Sequence, residues 1–265
     1  MRKFAKLIPF ILVGIFLALW LVAGARGATP AIPSTCGKYK ATLTRVVSNR
    51  LGPAAPISMY AAQMMQESAC NSEAKSGAGA LGLTQFMPAT ADWIPQLDAS
   101  LAPANPMNPT WAINAQVAYM SWLAKRNPGK IECDTSAFAL VSYNGGEGWL
   151  RRDQASAAAA GADPKVWFGS VEAWPDRRRS AAAIAENRGY PQRILLHIQP
   201  AFIDAGWGRG VTCTLNEGQS DGNVNGLREG QSFSWTSNSL AVVAWLQRRL
   251  SLSVGSESSR FAYRQ

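Results

Sequence analysis

The sequence predicts a mainly α-helical domain, and three observations support this fold class. Apolar residues recur at helical spacing, for example at Ile113, Val117 and Met120, as they do in amphipathic helices. No long run alternates between apolar and polar residues in the manner of a half-buried strand. With 47% hydrophobic and 16% charged residues, the 265-residue chain can bury a sizeable core and is not wholly disordered.

The amino terminus has the pattern of an export signal. Three basic residues within the first six precede an uncharged apolar run over residues 7–25. At about 19 residues this run is just long enough to span a bilayer, while Ala23-Gly24-Ala25 offers a small-residue cleavage site. We therefore expect residues 1–25 to be either a retained inner-membrane anchor or a cleaved signal peptide. Either one places the body in the periplasm, after a short linker over residues 26–35.

The body predicted between residues 36 and 213 is a succession of helices and loops. Ser58 follows two prolines and is the expected N-cap of the second helix. Residues 71–82 are rich in glycine and small polar residues and are expected to form a loop, whereas the alanine-rich segment 155–160 carries little information. The predicted helices span residues 39–51, 58–69, 90–94, 111–125, 135–143, 181–186 and 192–202.

The composition changes after Cys213. Residues 214–234 are rich in Gly, Ser, Asn, Glu and Gln, which predicts a flexible linker. The tail over residues 235–265 contains a short amphipathic segment at residues 239–250. This segment is expected either to fold back on the domain or to contact a partner or a membrane surface.

Charge and the counts of His and Cys exclude several classes of protein. The single histidine, His197, excludes a multi-histidine metal site, and four cysteines without CxxC spacing argue against structural zinc. The net charge is +9, of which the first 25 residues supply +3, so 9 − 3 leaves +6. For an exported domain we expect an anionic envelope polymer as partner and no nucleic acid. The later basic run, Arg177-Arg178-Arg179, is expected to be a solvated loop.

The cysteines predict disulfides in an oxidising compartment. Four cysteines allow three pairings, and the sequence alone does not choose among them. We favour Cys36–Cys213, because this pair brackets the domain and domain termini often lie close together. The complementary pair, Cys70–Cys133, would tie the end of the second helix to the segment before Tyr143.

Glu67 is the candidate catalytic residue. Tyr60, Met64 and Glu67 have i, i+4, i+7 spacing and share one helix face. A carboxyl group on an apolar stripe is poorly solvated, which raises its pKa towards the value that a general acid needs at neutral pH. A lone glutamate on a helix is usually an ordinary surface residue. The catalytic interpretation of Glu67 therefore depends on the residues that follow it.

The stretch from Glu67 to Thr90 resembles the catalytic signature of the soluble lytic transglycosylase (SLT) family. Glu67-Ser68 at a helix end is followed by Ser76 and, from Gly79 to Thr90, by Gly-Ala-Leu-Gly-Leu-Thr-Gln-Phe-Met-Pro-Ala-Thr, which matches the family's Gly-Ala-x-Gly-Leu-x-Gln-x-Met-Pro-x-Thr. Asn114 and Tyr119 resemble the family's Asn-x4-Tyr helix, and residues 142–146 its Ala-Tyr-Asn-x-Gly segment with Ser in place of Ala. Residues 186–191 resemble its final Glu-Thr-x-x-Tyr-Val segment, with Asn and Pro substituted.

The resemblance covers about residues 40–200 and implies a fold and a set of roles. It implies a lysozyme-like, goose-type catalytic domain in which Glu67 is the catalytic acid/base. The implied substrate-binding residues are Ser76, Gln85, Met87, Tyr143, Asn144 and Tyr190. The segment between Tyr143 and Glu186 is long for the family, which leaves that side of the groove open to question.

The motif contains one candidate carboxylate where most glycosidases use two. Glu73, the other acid in the motif loop, is expected to be solvated. We therefore expect a lytic transglycosylase that cleaves the MurNAc–GlcNAc bond of peptidoglycan and forms 1,6-anhydroMurNAc, without a metal or cofactor. The alternatives are a water-using muramidase and an inactive glycan-binding or scaffold module of an envelope-spanning machine.

Overall fold

The computed structural model describes residues 30–214, and this part of the chain is mainly helical, as predicted. Within it no strand forms, although isolated bridges join Leu81 to Lys75 and Phe86 in the loop after the second helix. A π-helical stretch, Arg193–Ile198, joins the last two α-helices. The α-helices are α1 (Lys40–Leu51), α2 (Ile57–Ser68), α3 (Pro88–Trp93), α4 (Pro109–Arg126), α5 (Glu132–Gly145), α6 (Glu147–Ala159), α7 (Ala181–Gln192) and α8 (Gln199–Asp204).

Two helices form the centre of the core. Helix α5 packs against α4, α6 and α7, and its apolar residues Phe138, Leu140 and Val141 are fully buried. Helix α2 packs against α1, α8 and the π-helical stretch. It is buried along most of its length because small and flexible apolar residues such as Ala61 and Met64 face its neighbours. Helix α2 thus holds its last turn, which carries Glu67, in a fixed position.

Helix boundaries differ from the predicted ones where capping decides them. Helix α4 begins at Pro109 because Asn108 caps it, its Oδ1 accepting hydrogen bonds from Thr110 N at 2.9 Å and Trp111 N at 3.0 Å. The predicted N-cap at Ser58 is wrong. Helix α2 begins one residue earlier, and the buried Ser58 hydroxyl donates instead to the carbonyl of Gly208 at 2.6 Å.

The disulfides are Cys36–Cys70 and Cys133–Cys213, so the predicted pairing is wrong. The turn that contains Cys36 lies against the end of α2, where the Thr35 hydroxyl donates to the carbonyl of Ala69 at 3.2 Å. The carboxy-terminal segment passes the start of α5, where an Arg209 guanidinium pairs with Glu132 next to Cys133. Packing around each helix end, rather than closeness of the domain termini, decides the pairing.

Several predicted segments lie outside the described residues. These are the signal or anchor at residues 1–25, most of the linker at 26–35, and the linker and tail from residue 215 onwards. Between residues 30 and 214, no helix combines the length and the apolar character needed to cross a membrane.

Candidate active site

Glu67 lies on the last turn of α2 and is half-buried. The helix ends immediately after it, because Ala69 and Cys70 both adopt positive φ angles, 52° and 60°. Cys70 is then held to Cys36 by the disulfide. The carboxyl group therefore projects from the end of a buried helix whose following residues are covalently fixed.

The Tyr190 hydroxyl on α7 donates a hydrogen bond to Glu67 Oε1. Tyr190 is 1% exposed, and its oxygen accepts a second hydrogen bond, 3.2 Å long, from Gln63 Nε2. Burial, together with the negative charge of Glu67, raises the pKa of Tyr190 well above its ordinary value, so that the hydroxyl keeps its proton. The structure thus brings together two of the predicted site residues that are 123 positions apart.

Tyr143, near the end of α5, lies close enough to Glu67 for the charge of its carboxyl group to act on it. Burial and the charge of Glu67 raise the pKa of Tyr143 well above its ordinary value. The Tyr143 hydroxyl donates to the carbonyl of Thr84 at 2.7 Å, which ties α5 to the loop after α2. Its ring packs against Phe86 and Tyr119, with centroid distances of 5.5 Å to each.

Ser76 and Gln85 make hydrogen bonds within the loop that follows α2. The Ser76 hydroxyl accepts from Ala80 N at 2.9 Å. The Gln85 side chain donates to the carbonyls of Gly82 at 2.8 Å and Ala74 at 3.2 Å, and its backbone has a φ of 52°. These contacts give the loop one shape, while contact of either residue with a substrate stays a prediction.

Ser68 fastens this loop to the catalytic helix. Its hydroxyl donates to the carbonyl of Leu83 at 2.7 Å and accepts from Asn71 N at 3.1 Å. On the far side of the loop, Gly82 has a φ of 73° and lies against Pro106, whose carbonyl oxygen would be 1.9 Å from an added Cβ. Ser68 belongs to the motif, but its role in holding the loop was not apparent from the sequence.

Met87 and Asn144 differ in how the structure holds them. Met87 precedes α3 and is 44% exposed, so its thioether side chain is open to a ligand. Asn144 is half-buried, and its Oδ1 accepts from Asn187 Nδ2 at 3.1 Å. Asn187 also donates to the carbonyl of Val141 at 3.0 Å, so it anchors the end of α5 to α7.

A buried ion-pair cluster contacts the Asn187 side chain and holds it in place. The Asp153 carboxylate is fully buried and contacts the guanidinium groups of Arg179 at 2.6 Å and Arg188 at 3.3 Å. Arg179 also donates to Asn187 Oδ1 at 3.0 Å. The prediction of a solvated loop for Arg177-Arg178-Arg179 is therefore wrong for Arg179, whose side chain is 5% exposed.

Two tryptophans that were not predicted as site residues pack against Tyr119 and form an aromatic row with it. Trp93 and Trp122 are half-buried, with centroid distances of 6.0 Å from each to Tyr119 and 5.1 Å between them. The Arg126 guanidinium lies 4.5 Å from the Trp122 centroid. Tyr119 and Trp122 are spaced i, i+3 on α4, and this spacing could have predicted that their rings lie side by side.

Among the other carboxylates, Glu147 is held by ion pairs. Partial burial opposes ionisation of Glu147, but hydrogen bonds from Arg126 and Arg151 outweigh it and lower its pKa. Glu73 is exposed, as predicted. Within residues 30–214, no group of three His, Cys, Asp or Glu side chains is arranged to hold a metal ion.

Comparison with known proteins identifies the domain. The family model described as "Transglycosylase SLT domain" matches residues 48–165. Two similar curated proteins are both membrane-bound lytic murein transglycosylase F. The one from Pasteurella multocida (strain Pm70) is 30% identical over 133 residues, covering 50% of this chain and 24% of that protein. The one from Thiobacillus denitrificans (strain ATCC 25259 / T1) is 31% identical over 133 residues, covering 50% and 27%.

This chain spans about a quarter of the length of these relatives. The 1.65 Å crystal structure of the 70 kDa soluble lytic transglycosylase from Escherichia coli has a TM-score of 0.45 and 24% identity, covering 63% of this chain and 24% of that one. The matched residues include Glu67, the motif loop and Tyr143. Residues 48–165 therefore match the transglycosylase SLT domain, and the similar curated proteins are lytic murein transglycosylases.

Proposed function

We propose that this protein is a peptidoglycan lytic transglycosylase in which Glu67 is both general acid and general base. The observation that carries the proposal is the half-buried Glu67 carboxyl, held by the Tyr190 hydroxyl at the end of a fixed helix. Such a group can give up and take back a proton without changing position. The names of the relatives, which are lytic murein transglycosylases, support the same activity.

The proposed reaction has two proton transfers. Protonated Glu67 donates its proton to the glycosidic oxygen between MurNAc and GlcNAc, and the bond from MurNAc C1 to that oxygen breaks. The MurNAc C6 hydroxyl oxygen then bonds to C1, and its proton passes to the Glu67 carboxylate. The products are a 1,6-anhydroMurNAc end and a free GlcNAc hydroxyl, and Glu67 returns to its protonated form. No water enters the reaction.

The surroundings of Glu67 favour this route over hydrolysis. A hydrolase with two catalytic carboxylates needs the second one free to act as a base or nucleophile. Within residues 30–214, the negative charge of Glu67 raises the pKa values of Tyr143 and Tyr190, and both hydroxyls keep their protons. Glu147 is engaged by Arg126 and Arg151. The substrate's own C6 hydroxyl therefore takes the role of nucleophile in our proposal.

Substitution Glu67→Gln tests the proposal. Glutamine has nearly the same shape but cannot donate and retrieve a proton, so we expect release of soluble fragments from purified sacculi to be abolished. Glu73→Gln is the matched control, because Glu73 is exposed on the loop that follows α2 and its variant should retain wild-type turnover. Near-wild-type turnover by the Glu67→Gln variant would contradict the role of Glu67.

Two alternatives make different predictions. A muramidase would release reducing MurNAc ends, whose mass differs from the anhydro form by one water. An inactive scaffold module of an envelope-spanning complex would bind sacculi without releasing fragments, and the presence of Glu67 with its tyrosine partner argues against it.

We also propose that the body acts in the periplasm, held near the inner membrane if residues 7–25 are retained as an anchor. The basic amino terminus, the two disulfides and the peptidoglycan substrate support this location. Cell fractionation with amino-terminal sequencing tests it. A soluble periplasmic protein beginning near residue 26 would exclude the anchor, and an intact cytoplasmic protein would exclude export.

A further inference from the structure

Two buried glutamines form a row of hydrogen bonds behind Tyr190. Gln63 on α2 and Gln116 on α4 are both fully buried. Gln116 Nε2 donates to Gln63 Oε1 at 2.8 Å, and Gln63 Nε2 donates to the Tyr190 hydroxyl oxygen at 3.2 Å. The row ends where the Tyr190 hydroxyl donates to Glu67. Gln63 precedes the motif that begins at Glu67, and Gln116 occupies an unspecified position within the Asn-x4-Tyr segment.

The backbone carbonyl of Tyr60, at the end of the row away from Glu67, fixes which atom donates in every hydrogen bond of the row. Gln116 Nε2 also donates to the backbone carbonyl of Tyr60 at 3.2 Å. A carbonyl can only accept, so the amide face that Gln116 turns towards it must be the NH2 group. That group then faces Gln63 Oε1, which leaves the NH2 group of Gln63 to face Tyr190. Because the Tyr190 oxygen accepts from Gln63, its one proton is directed at Glu67.

We propose that Gln63 and Gln116 are positioning residues that keep the Tyr190 hydroxyl a donor to Glu67 throughout the catalytic cycle. This inference rests on the proposed function of Glu67. If Gln63 did not occupy the Tyr190 oxygen, protonated Glu67 could donate its proton to that oxygen instead of to the glycosidic oxygen. The amide row removes this unproductive hydrogen bond and leaves the acid proton for the substrate.

A packing role alone does not account for the pair. Gln116 Oε1 is buried and has no hydrogen-bond partner among the described residues, which lowers stability. An unbranched apolar side chain such as methionine would fill the same space without that cost. The directed row of donors is what the two amides add to the core.

The test measures Glu67 directly and needs no substrate. The carboxyl carbons of glutamate are labelled with 13C in the full-length chain, and the Glu67 resonance is titrated by NMR. Gln63→Met removes the donor to Tyr190, so protonated Glu67 gains a partner and its titration midpoint should rise by about half a pH unit. The value of kcat on sacculi should fall roughly threefold to tenfold with little change in KM, as expected for one hydrogen bond.

The same substitution in the Tyr190→Phe background separates positioning from packing. If Gln63 acts through Tyr190, Gln63→Met should cause no further shift or loss of kcat there. Because single removal of a buried amide can impair folding, the double variant Gln63→Met/Gln116→Met is measured as well. It replaces both partners by side chains of similar shape and should reproduce the shift. Gln199→Met is the matched control, since Gln199 is a buried amide bonded to Leu195 and Val211.

The outcomes decide the inference independently of the proposed function. An equal shift in both backgrounds, no shift in either, or a shift in the Gln199→Met control would overturn it. A midpoint that rises only when Tyr190 is present supports it, even if the protein released no fragments from sacculi. If wild-type protein cleaves sacculi and the midpoint does not move, the function of Glu67 stands and the positioning role fails.

Discussion

Substitution of Asp153 by asparagine should destabilise the protein strongly. Asp153 is fully buried on α6 and compensates the charges of Arg179 and Arg188, whose side chains are 5% and 15% exposed. Its Oδ1 also accepts from the backbone N of Asp176 at 2.7 Å, which fixes the segment that leads to α7. Asparagine keeps the shape but removes the counter-charge that Arg179 pairs with, and it leaves Arg188 with the weaker attraction of Glu172.

Breaking a buried ion pair by removing one partner typically costs about 3–5 kcal/mol. For a folded unit of about 180 residues each kcal/mol lowers the melting temperature by roughly 2–4 °C, so we expect a fall of roughly 10 °C. Circular dichroism melts and urea titrations of the two proteins measure it. Asp163→Asn is the matched control, because the Lys130–Asp163 pair is solvent-exposed and its loss should leave the midpoint nearly unchanged.

A melting temperature within about 3 °C of wild type for Asp153→Asn would refute this reasoning. It would mean that water or rearrangement compensates the two arginines, and that the cluster does not hold the segment between α6 and α7. If the prediction holds, sacculus cleavage at permissive temperature should also fall, because Arg179 orients Asn187 and Asn187 holds Asn144.

Two further predictions concern the surroundings of Glu67. Non-reducing peptide mapping should recover Cys36–Cys70 and Cys133–Cys213. Replacing the first pair by alanine should cost about 4 kcal/mol for a 34-residue separation and reduce cleavage more than loss of the second pair, since Cys70 follows Glu67 so closely. Gly82→Ala should destabilise by at least about 2 kcal/mol because its Cβ would strike the Pro106 carbonyl. Gly79→Ala, at a φ of 92° with open space around it, isolates the effect of the clash, and equal losses from the two variants would contradict it.

Helices were predicted correctly where apolar residues recur at helical spacing in the sequence, and they were missed or shortened where polar residues interrupt that spacing. Helices α1, α2 and α4 agree with their predicted ranges to within two residues at each end. Helix α6 was missed because its buried face combines Leu150 and Ala157 with the charged Asp153, which hides the apolar period. The N-cap at Ser58 and the disulfide pairing were wrong because both depend on contacts with distant segments, which local sequence does not show.

The candidate site was predictable to the extent that it lies within the motif segments. The structure brings Glu67, Tyr143 and Tyr190 together, whereas their roles in catalysis and substrate binding stay predictions. Gln63 was overlooked although it stands one helical turn before Glu67, where a polar residue within an apolar helix was a usable signal. The link from Asp153 through Arg179 to Asn187 was not accessible, because it depends on how α6 and α7 pack.

The chemical form of the new glycan ends tests the central claim most directly. Purified sacculi are digested with the full-length protein, and the soluble fragments are analysed by mass spectrometry, with a known hydrolase as the reference for reducing ends. If Glu67 works with the C6 hydroxyl of the substrate as its nucleophile, the fragments should end in 1,6-anhydroMurNAc, one water lighter than the hydrolysed form. Fragments that carry only reducing MurNAc ends would contradict the transglycosylase mechanism and establish hydrolysis by water.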